Sequence, residues 1–394
     1  MKYLLLLSIL LSFLSCSNLK ERDNSQLDYA ILKSNEIPID ANVQYEHSQI
    51  QLVDEDTFVG LDQNFSKLDF FSLAENEFLF STQFENDGPN RIYPVSSFFY
   101  HNKDSIFLFS LAASSFQLIN HKAEVKALYR MDDNRFPATV SKEIKGNEGQ
   151  FFPIAITENG EFHFPFIYDA KANELLVNIV ADSYFEGFND RQTIYSGPII
   201  SNFDLETQEF TQFQGKWPSR IYHQKMVPSN PFTNFCLNSD NQDVLINFYN
   251  ANQIFSVKED EFFKVESNHA KGDITLFDIE NQKEYSTEEE LDALNDDEAY
   301  VNLIYDPYQN LYYRIFKFSN NQDESGTHKM EANWSLIAFT PAFKVLGEVE
   351  FPASVYNFLQ MIPTEKGLLI SKESAWSKKN KEEIYEFDLV KINF

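Results

Sequence analysis

Residues 299–318 read AYVNLIYDPYQNLYYRIFKF, the strongest hairpin signal in the chain. The pattern predicts a strand over Val301–Tyr305, a tight turn over Asp306–Asn310 and a second strand over Leu311–Phe318. Asp-Pro fixes one dihedral of the turn, and Asn310 tolerates the left-handed conformation that closes it. Both flanks are β-branched and aromatic without alternation to a polar face, so both faces of this hairpin should be buried.

The same strand–turn–strand pattern recurs along the chain in four-stranded units. The clearest unit has the predicted strands Asn234–Asn238, Asp243–Tyr249, Gln253–Val257 and Phe262–Glu266. A similar unit has the predicted strands Phe98–His101, Ser105–Leu111, Ser115–Ile119 and Glu124–Tyr129. The second strands of six such units begin near Thr57, Ser105, Glu174, Asp243, Leu311 and Gly367. Repeated four-stranded meanders are typical of a β-propeller, whose blades pack face to face around a central channel.

The last unit has three evident strands, Val355–Ile362, Gly367–Glu373 and Glu382–Leu389. The segment Tyr29–Ile39 could supply the fourth strand and close the ring, with Pro38 at its end or at an edge position. The sequence therefore predicts an all-β protein, a six-bladed β-propeller of four-stranded antiparallel meanders over residues 28–394.

Three insertions interrupt the repeat, at residues 131–160, 181–197 and 281–298. The third insertion is strongly acidic, and its segment Ser286-Thr287-Glu288-Glu289 resembles a capping box. This segment is predicted to be either a short surface helix or a disordered acidic loop. Loops between rigid blades are where propellers usually place recognition surfaces.

Residues 1–15 have the features of a secretory signal, with a basic residue at Lys2 and an apolar run over Leu4–Leu14. The run is too short to span a bilayer as a helix, which needs about 20 residues. The ending Phe13-Leu14-Ser15-Cys16 resembles the lipobox of bacterial lipoproteins, with Phe13 where Leu is usual. The resemblance implies that Cys16 is lipidated and becomes the new N-terminus.

An ordinary signal peptide that is cut nearby is the alternative to the lipobox. If the lipobox is used, residues 16–27 consist of the lipidated cysteine and a polar, charged and flexible tether. A lipid on Cys16 would make the membrane a partner and place the protein in the bacterial cell envelope, at the outer membrane. The mixed charges after Cys16 leave the periplasmic and the surface side both open.

The chain has two cysteines, Cys16 and Cys236. Lipidation of Cys16 leaves a single thiol, so no disulfide can form within the chain and the core must stabilise itself. Cys236 lies in an apolar predicted strand, which favours an inert buried residue over a catalytic thiol.

The net charge of −28 excludes nucleic acid as a partner, because the chain is repelled by phosphates and by anionic lipid surfaces. Solubility is the simplest reason for this charge. The 39 phenylalanines and 19 tyrosines instead favour a fold with extensive packing between sheets, because aromatic side chains bury large areas.

No local catalytic or metal motif is present in the sequence. None of the histidines is paired at HxH or HxxxH spacing: His47, His101, His121, His163, His223, His269 and His328. The G-x-S-x-G, G-x-G-x-x-G and G-x-x-x-x-G-K patterns are also missing. The sequence therefore predicts no catalytic residue and no metal ligand, although ligands from separate blades could still converge.

Two residues are candidates for binding. Arg314 interrupts an otherwise apolar and aromatic strand, and a buried Arg must be paired. It is predicted either to join two blades through a carboxylate or to contact a ligand, and the structural role is favoured. Trp376 lies in a predicted loop with three nearby lysines and could anchor a partner, although packing against its own loop is the simpler alternative.

The sequence resembles a lipoprotein family of Bacteroidetes that is defined as a domain of unknown function. The features that carry the resemblance are the signal with its lipobox-like end, the six meanders and the segment IYDPYQNLYYRIFKF (304–318). The resemblance covers most of residues 28–394 and implies a TolB-like six-bladed propeller without established catalytic residues. A binding or protein-interaction module, with an unknown protein or small ligand as partner, is then the leading functional hypothesis. The alternative is a lactonase-like propeller hydrolase in which Asp, Glu and Asn side chains from several blades hold calcium.

Overall fold

Ring closure by the N-terminal strand organises the fold, as seen in a computed structural model of the chain. The structure describes residues 26–38, 47–62, 66–85, 87–88, 91, 94–110, 113, 115–130, 151–153, 166–181, 197–219, 226–228, 233–272, 275–278, 296–319, 332–372 and 384–394. Six antiparallel sheets lie in sequence around a ring, which confirms the predicted six-bladed β-propeller.

The blades follow the order of the chain, except that the first strand, β1 (Asp28–Pro38), belongs to the last blade. Blade 1 contains β2 (Gln49–Asp54), β3 (Thr57–Asp62), β4 (Lys67–Ser72) and β5 (Glu77–Gln83). Blade 2 contains β6 (Ser97–Asn102), β7 (Ser105–Ser110), β8 (Ser115–Ile119) and β9 (Val125–Arg130). Blade 3 contains β10 (Phe151–Pro153), β11 (Phe166–Asp169), β12 (Glu174–Ala181), β13 (Ile200–Asp204) and β14 (Glu209–Gln214).

The second half of the chain forms the other three blades and a short ribbon. The ribbon pairs β15 (Met226–Pro228) with β20 (Leu276–Asp278). Blade 4 contains β16 (Thr233–Leu237), β17 (Val244–Phe248), β18 (Gln253–Ser256) and β19 (Glu261–Lys264). Blade 5 contains β21 (Ala299–Asp306), β22 (Leu311–Lys317), β23 (Trp334–Phe339) and β24 (Val345–Phe351). Blade 6 contains β25 (Met361–Thr364), β26 (Gly367–Ser371), β27 (Ile384–Asn393) and β1.

The predicted hairpin of residues 299–318 forms β21 and β22. All seven residues of β22 are buried, which confirms that this strand is covered on both faces. Asn310 has a positive φ of 51° at the end of the turn, as its residue type predicted. The second strands of the six blades begin within one residue of the predicted positions.

Hydrophobic side chains fill each interface between neighbouring blades. The described residues form six apolar clusters, and each of the six blade interfaces contains one of them. The cluster between blades 6 and 1, for example, includes Ile37, Phe58, Leu369 and Tyr385. Strands in the middle of a blade therefore lose both faces to neighbouring blades, which is why their sequences lack an alternating polar face.

A side-chain oxygen caps the turn between the first and second strand in every blade. In each case it accepts a hydrogen bond from a backbone N–H two residues later, as in an Asx or ST turn. The six capping residues are Asp54, Asn102, Asp169, Asn238, Asp306 and Thr364. The recurrence of this cap once in every blade is a repeat signature that the strand pattern alone did not reveal.

Amide side chains join neighbouring blades near their inner strands. Gln51 on β2 donates to the carbonyl oxygen of Tyr100 on β6 and accepts from its N–H, both at 2.7 Å. Gln49 makes the same pair of hydrogen bonds with Phe98 at 2.9 and 3.1 Å. Each glutamine thus replaces a missing backbone ladder between two inner strands, since all the buried backbone groups need partners.

The N-terminal strand closes the ring as predicted. β1 pairs with β27 in antiparallel register from Asp28 opposite Asn393 to Pro38 opposite Ile384. Gly367 begins the neighbouring β26 with a φ of 150°, and a Cβ there would collide with the carbonyl oxygen of Val390. A glycine is therefore required where β26 begins beside β27.

The first strand of blade 6 differs from the prediction of Val355–Ile362. The strand is Met361–Thr364, and a loop precedes it in which the N–H of Gln360 donates to the carbonyl oxygen of Asn357 at 3.2 Å. Tyr356 and Phe358 of this loop are buried, so their alternation imitates a strand. A pattern of alternate burial cannot distinguish a strand from such a loop, because the two differ only in their hydrogen bonds.

Blade 3 also differs from a simple meander, because β10 and β11 both pair with β12. Most residues of each of the three predicted insertions lie outside the described residues. The segment Ser286-Thr287-Glu288-Glu289 also lies outside them. The signal at residues 1–15 and the predicted tether up to residue 25 also lie outside them. No helix in the described ranges is long and apolar enough to cross a membrane.

Candidate functional site

A cavity of about 250 Å³ lies between blade 6 and blade 1, which we call the seam cavity. It is formed by β1, β26 and β27, and by the turns β2–β3, β4–β5 and β25–β26. The residues that line it are Lys33, Asn35, Glu55, Asp56, Leu73, Ala74, Thr364, Glu365, Lys366, Leu369 and Leu389. The closing strand and the last blade thus meet blade 1 around a cavity that is open to solvent.

Asn35 and Thr364 are the buried polar residues among those that line this cavity, and Asn35 lies on the closing strand. Its side chain lies on the same face of β1 as Lys33 and Ile37, because alternate residues of a strand share a face. Only 3% of Asn35 is exposed, and no donor in the described residues reaches its Oδ1 atom. Buried carbonyl oxygens nearly always have a hydrogen-bond partner, so this oxygen, which is closed to solvent, is an unsatisfied acceptor among the described residues.

Charged groups surround the mouth of the seam cavity. Glu55, Asp56 and Glu365 are exposed, and in the described parts of the chain none of them forms an ion pair. Burial raises the pKa of Tyr308 in the β21–β22 turn, and the charges of Glu365, Asp306 and Glu55 raise it further. The carboxylates of Glu365 and Glu55 therefore act on the hydroxyl of Tyr308 in the neighbouring blade 5.

The two lysines of the cavity are placed differently. Lys33 donates from Nζ to the carbonyl oxygen of Leu73 at 2.9 Å, so part of its hydrogen-bonding capacity is used within the protein. Lys366 is exposed in the β25–β26 turn, where its N–H donates to the hydroxyl oxygen of Thr364 at 3.3 Å. With apolar walls from Leu369 and Leu389, the cavity combines a few polar groups with an apolar surface, as ligand sites commonly do.

Arg314 lies fully buried between blade 5 and blade 4. Its guanidinium donates to Asn247 Oδ1 at 2.7 Å and to four backbone carbonyl oxygens of blade 4, which belong to Phe248, Ala251, Gln253 and Val265. Its Cζ atom also lies 3.6 Å from the centre of the Tyr300 ring. Burial lowers the pKa of Arg314 to about 9, partly opposed by Tyr300 and Glu266.

These contacts join two blades through neutral oxygens, whereas the sequence had suggested a carboxylate as the acceptor. The amide of Asn247 is held in turn, because its Nδ2 donates to the carbonyl oxygen of Tyr300 at 2.6 Å. Contact of Arg314 with a ligand stays a prediction. The seam cavity and Arg314 lie at different blade interfaces, so the structure does not bring these two candidates together.

Two other predicted sites, Trp376 and Cys16, lie outside the described residues. Anchoring of a partner by Trp376 and lipidation of Cys16 therefore stay predictions. Cys236 is a buried free thiol, and burial raises its pKa, with a further contribution from the charge of Asp243. A thiol held protonated in this way is a poor nucleophile.

A second group of buried polar residues lies in blade 1. His47 Nε2 is 3.1 Å from Asp69 Oδ2, and Lys67 Nζ approaches the same oxygen at 3.1 Å. Burial alone would raise the pKa of Asp69, but the hydrogen bond and charge of His47 outweigh it and the pKa is lowered. The His47 ring stacks on Tyr385, and a Cβ at Gly60 would lie 2.5 Å from it. This packing indicates a structural group.

Among the described residues, no group of three or more His, Cys, Asp or Glu side chains is arranged to hold a metal ion. Calcium binding at the channel therefore stays a prediction that a direct measurement must address.

Sequence reasoning missed the seam cavity. Asn35 and Glu365 come from opposite ends of the chain, and a β-strand pattern does not show which strands enclose a space. A weak signal was present, because Lys33 and Asn35 place two polar side chains on the face of β1 that also holds the core residue Ile37.

Comparisons with known proteins agree with this architecture. A crystal structure of a DUF4221 family member from Bacteroides vulgatus superposes with a TM-score of 0.71 at 14% identity, covering 94% of this chain and 99% of that one. A Bacteroides fragilis protein, described provisionally as exported, has a TM-score of 0.50 at 10% identity and covers 95% and 98%. No curated protein sequence matches the chain.

The family profile described as "Domain of unknown function (DUF4221)" matches residues 29–350, which is most of the chain. The matched region begins within β1 and ends within β24, so it includes blades 1 to 5 and the closing strand. The resemblance to a domain of unknown function is thereby confirmed, and the chain belongs to the DUF4221 family.

Proposed function

We propose that this protein is a lipid-anchored, extracytoplasmic binding module of the bacterial cell envelope, and that it binds a small ligand in the seam cavity. The observation that supports binding is the seam cavity itself, which combines apolar walls from Leu369 and Leu389 with a few polar side chains. A propeller provides a rigid frame for such a site, because six packed interfaces fix the position of every lining strand.

Anchoring at the outer membrane is supported by the sequence of residues 1–16. The provisional description of the Bacteroides fragilis structural neighbour as exported agrees with it. We expect metabolic labelling with a palmitate analogue to label the wild-type protein and the Cys236→Ser variant, but not Cys16→Ser. Since these are the two cysteines of the chain, the pair is a matched control. Label on Cys16→Ser, or none on the wild type, would contradict the anchor.

Binding in the seam cavity can be tested by ligand-observed NMR with a mixture of amines, amino acids, organic acids and sugars. We expect at least one class to bind, and Ala74→Phe to abolish that binding by filling the cavity. Ala172→Phe is the matched control, because Ala172 is also exposed in a turn but lies in blade 3, on the opposite side of the ring. Failure of every class to bind, or equal loss in both variants, would refute the cavity as the site.

A further inference from the structure

We infer that the outer rim of blades 6 and 1 docks on the lipid surface in which the protein is anchored, through four exposed apolar side chains that we call the rim patch. The rim patch consists of Ile31 and Leu32 on β1, and of Leu79 and Phe80 on β5. This inference rests on the proposed lipid anchor, and it adds which side of the propeller faces the membrane.

The first argument is that the four side chains form a cluster. β1 is the outermost strand of blade 6 and β5 is the outermost strand of blade 1, and these blades are neighbours in the ring. Lys33 on β1 donates to the carbonyl oxygen of Leu73, in the turn that leads into β5, so the two strands lie close together. Each side chain of the rim patch is at least 40% exposed, and the four are half of the eight large apolar side chains that are exposed in the described residues. Apolar patches of this kind mark contact surfaces.

The second argument is that bulges interrupt both edge strands at the rim patch. Leu32 is the extra residue at a shift of register between β1 and β27, and Leu79 is the extra residue at a shift between β5 and β4. Bulged edges resist the addition of a strand from another protein. The rim patch thus offers apolar side chains rather than a regular backbone ladder, which suits a lipid surface better than a strand of a partner protein.

The third argument is the distance to the anchor. The N–H of Leu27 donates to the carbonyl oxygen of Glu348 at 2.7 Å, which fixes the start of β1 on blade 5. From Gln26 to Cys16 the chain can reach at most about 36 Å, at ~3.3–3.6 Å per residue. Leu32 lies about 20 Å along the chain from Gln26, at ~3.3 Å per residue. A lipid on Cys16 therefore holds the rim patch within reach of the membrane, and such a tether gives a weak second contact a high effective concentration.

The fourth argument is the charge of the chain. The net charge of −28 repels a second copy of the chain and also repels anionic lipids. A surface of phosphatidylethanolamine has no net charge and causes no such repulsion. Apolar side chains can enter the boundary between headgroups and acyl chains to a depth of about 5–10 Å. We therefore expect docking to depend on apolar contact rather than on electrostatic attraction.

The experiment places an environment-sensitive fluorophore at Leu32. Leu32→Cys is labelled with a maleimide of nitrobenzoxadiazole in the full-length lipidated protein, while the buried Cys236 is shielded from the reagent. The labelled protein is reconstituted into vesicles of phosphatidylethanolamine and phosphatidylcholine. We expect its emission to shift to shorter wavelength and brominated lipid to quench it, because the label enters the headgroup boundary. Gln212→Cys is the matched control, since Gln212 is exposed on β14 at the opposite side of the ring, and its label should show neither effect.

Variants and lipid charge test the physical basis of docking. In the protein labelled at Leu32, Ile31→Ser combined with Leu79→Ser removes two side chains of the rim patch, and we expect the ratio of docked to undocked protein to fall at least about tenfold. Leu128→Ser is the control, because Leu128 is exposed on β9, the outermost strand of blade 2, and it should leave that ratio unchanged. Addition of phosphatidylglycerol should weaken docking, and added salt should restore it by screening the repulsion.

The outcomes separate docking from the anchor. A protein that carries the palmitate analogue on Cys16, but whose fluorophore at Leu32 stays in water, would overturn docking and leave the anchor in place. A shift at Leu32 that needs no vesicles and grows with protein concentration would show that a second copy covers the rim patch, and docking would be overturned as well. Stronger quenching with phosphatidylglycerol than without it would overturn docking by apolar contact. Absence of lipid on Cys16 would overturn both the anchor and docking.

Discussion

Replacement of Arg314 by methionine tests whether this buried cation stabilises the contact between blades 4 and 5. Arg314 makes five hydrogen bonds to neutral oxygens of blade 4. At about 1.5–2 kcal/mol for each bond from a charged donor, they contribute about 8–10 kcal/mol. The loss of hydration of the guanidinium offsets part of this contribution, and burial accordingly lowers the pKa of Arg314 from 12.5 to about 9.

We expect Arg314→Met to lower the free energy of unfolding by about 3–5 kcal/mol. Removal of one member of a buried polar pair commonly costs as much, because its partners remain buried without donors. With an unfolding entropy of about 2.1 cal/mol/K per residue, a loss of 4 kcal/mol lowers the Tm of a domain of this size by about 5 °C. Urea unfolding and calorimetry at pH 7 measure both quantities.

Two further variants complete the test of Arg314. Arg130→Met is the matched control, because Arg130 is an exposed arginine on β9, and its stability should stay within about 0.5 kcal/mol of the wild type. Arg314→Lys keeps the charge but not the planar fork, so an intermediate loss is expected. An Arg314→Met protein that is as stable as the wild type would refute the structural role and favour contact with a ligand.

Three other predictions concern the ring, the tyrosines and calcium. Gln51→Leu should lower the free energy of unfolding in urea by about 1–3 kcal/mol, because the N–H and carbonyl of Tyr100 lose their partner. The control Gln212→Leu changes an exposed glutamine and should leave that free energy unchanged. Equal effects of the two variants would contradict the amide bridge. Burial, followed by the hydrogen bond to Asp388, raises the pKa of Tyr356, so the folded state keeps this proton longer than the unfolded state and stability should fall as pH rises above about 10. Tyr356→Phe should reduce that fall, and an unchanged pH profile would show that other groups cause it. Removal of calcium with EDTA and its return should leave the Tm unchanged, and a rise of several degrees with calcium would instead support an ion in the channel and the hydrolase alternative.

The stretch 299–318 shows why much of the fold could be predicted. Its turn depends on Asp306, Pro307 and Asn310, and its strands depend on residue types within a few positions. Such signals are local, so the positions of the second strands and the closing role of Tyr29–Ile39 followed from the sequence. The capped turns are local too, and their six-fold repeat could have strengthened the same prediction.

The first strand of blade 6 shows where local signals fail. Tyr356 and Phe358 alternate as a strand would, yet the chain turns at Asn357–Gln360 and pairs only from Met361 onward. Burial of alternate side chains depends on neighbouring blades as well as on strand geometry. A sequence pattern therefore reports that these residues are inside the protein, but it does not report their hydrogen bonds.

Residue types along the chain were enough to predict the repeat, the closure of the ring by its first strand and the burial of Arg314, because strand period, turn chemistry and polarity are properties of neighbouring residues. The three-dimensional structure was needed to show that the acceptors of Arg314 are carbonyl oxygens of blade 4. It also decided that Asn35 and Glu365 line one cavity. These contacts join residues far apart in the chain, and they form only when the closed ring brings blade 6 against blade 1 and blade 5 against blade 4.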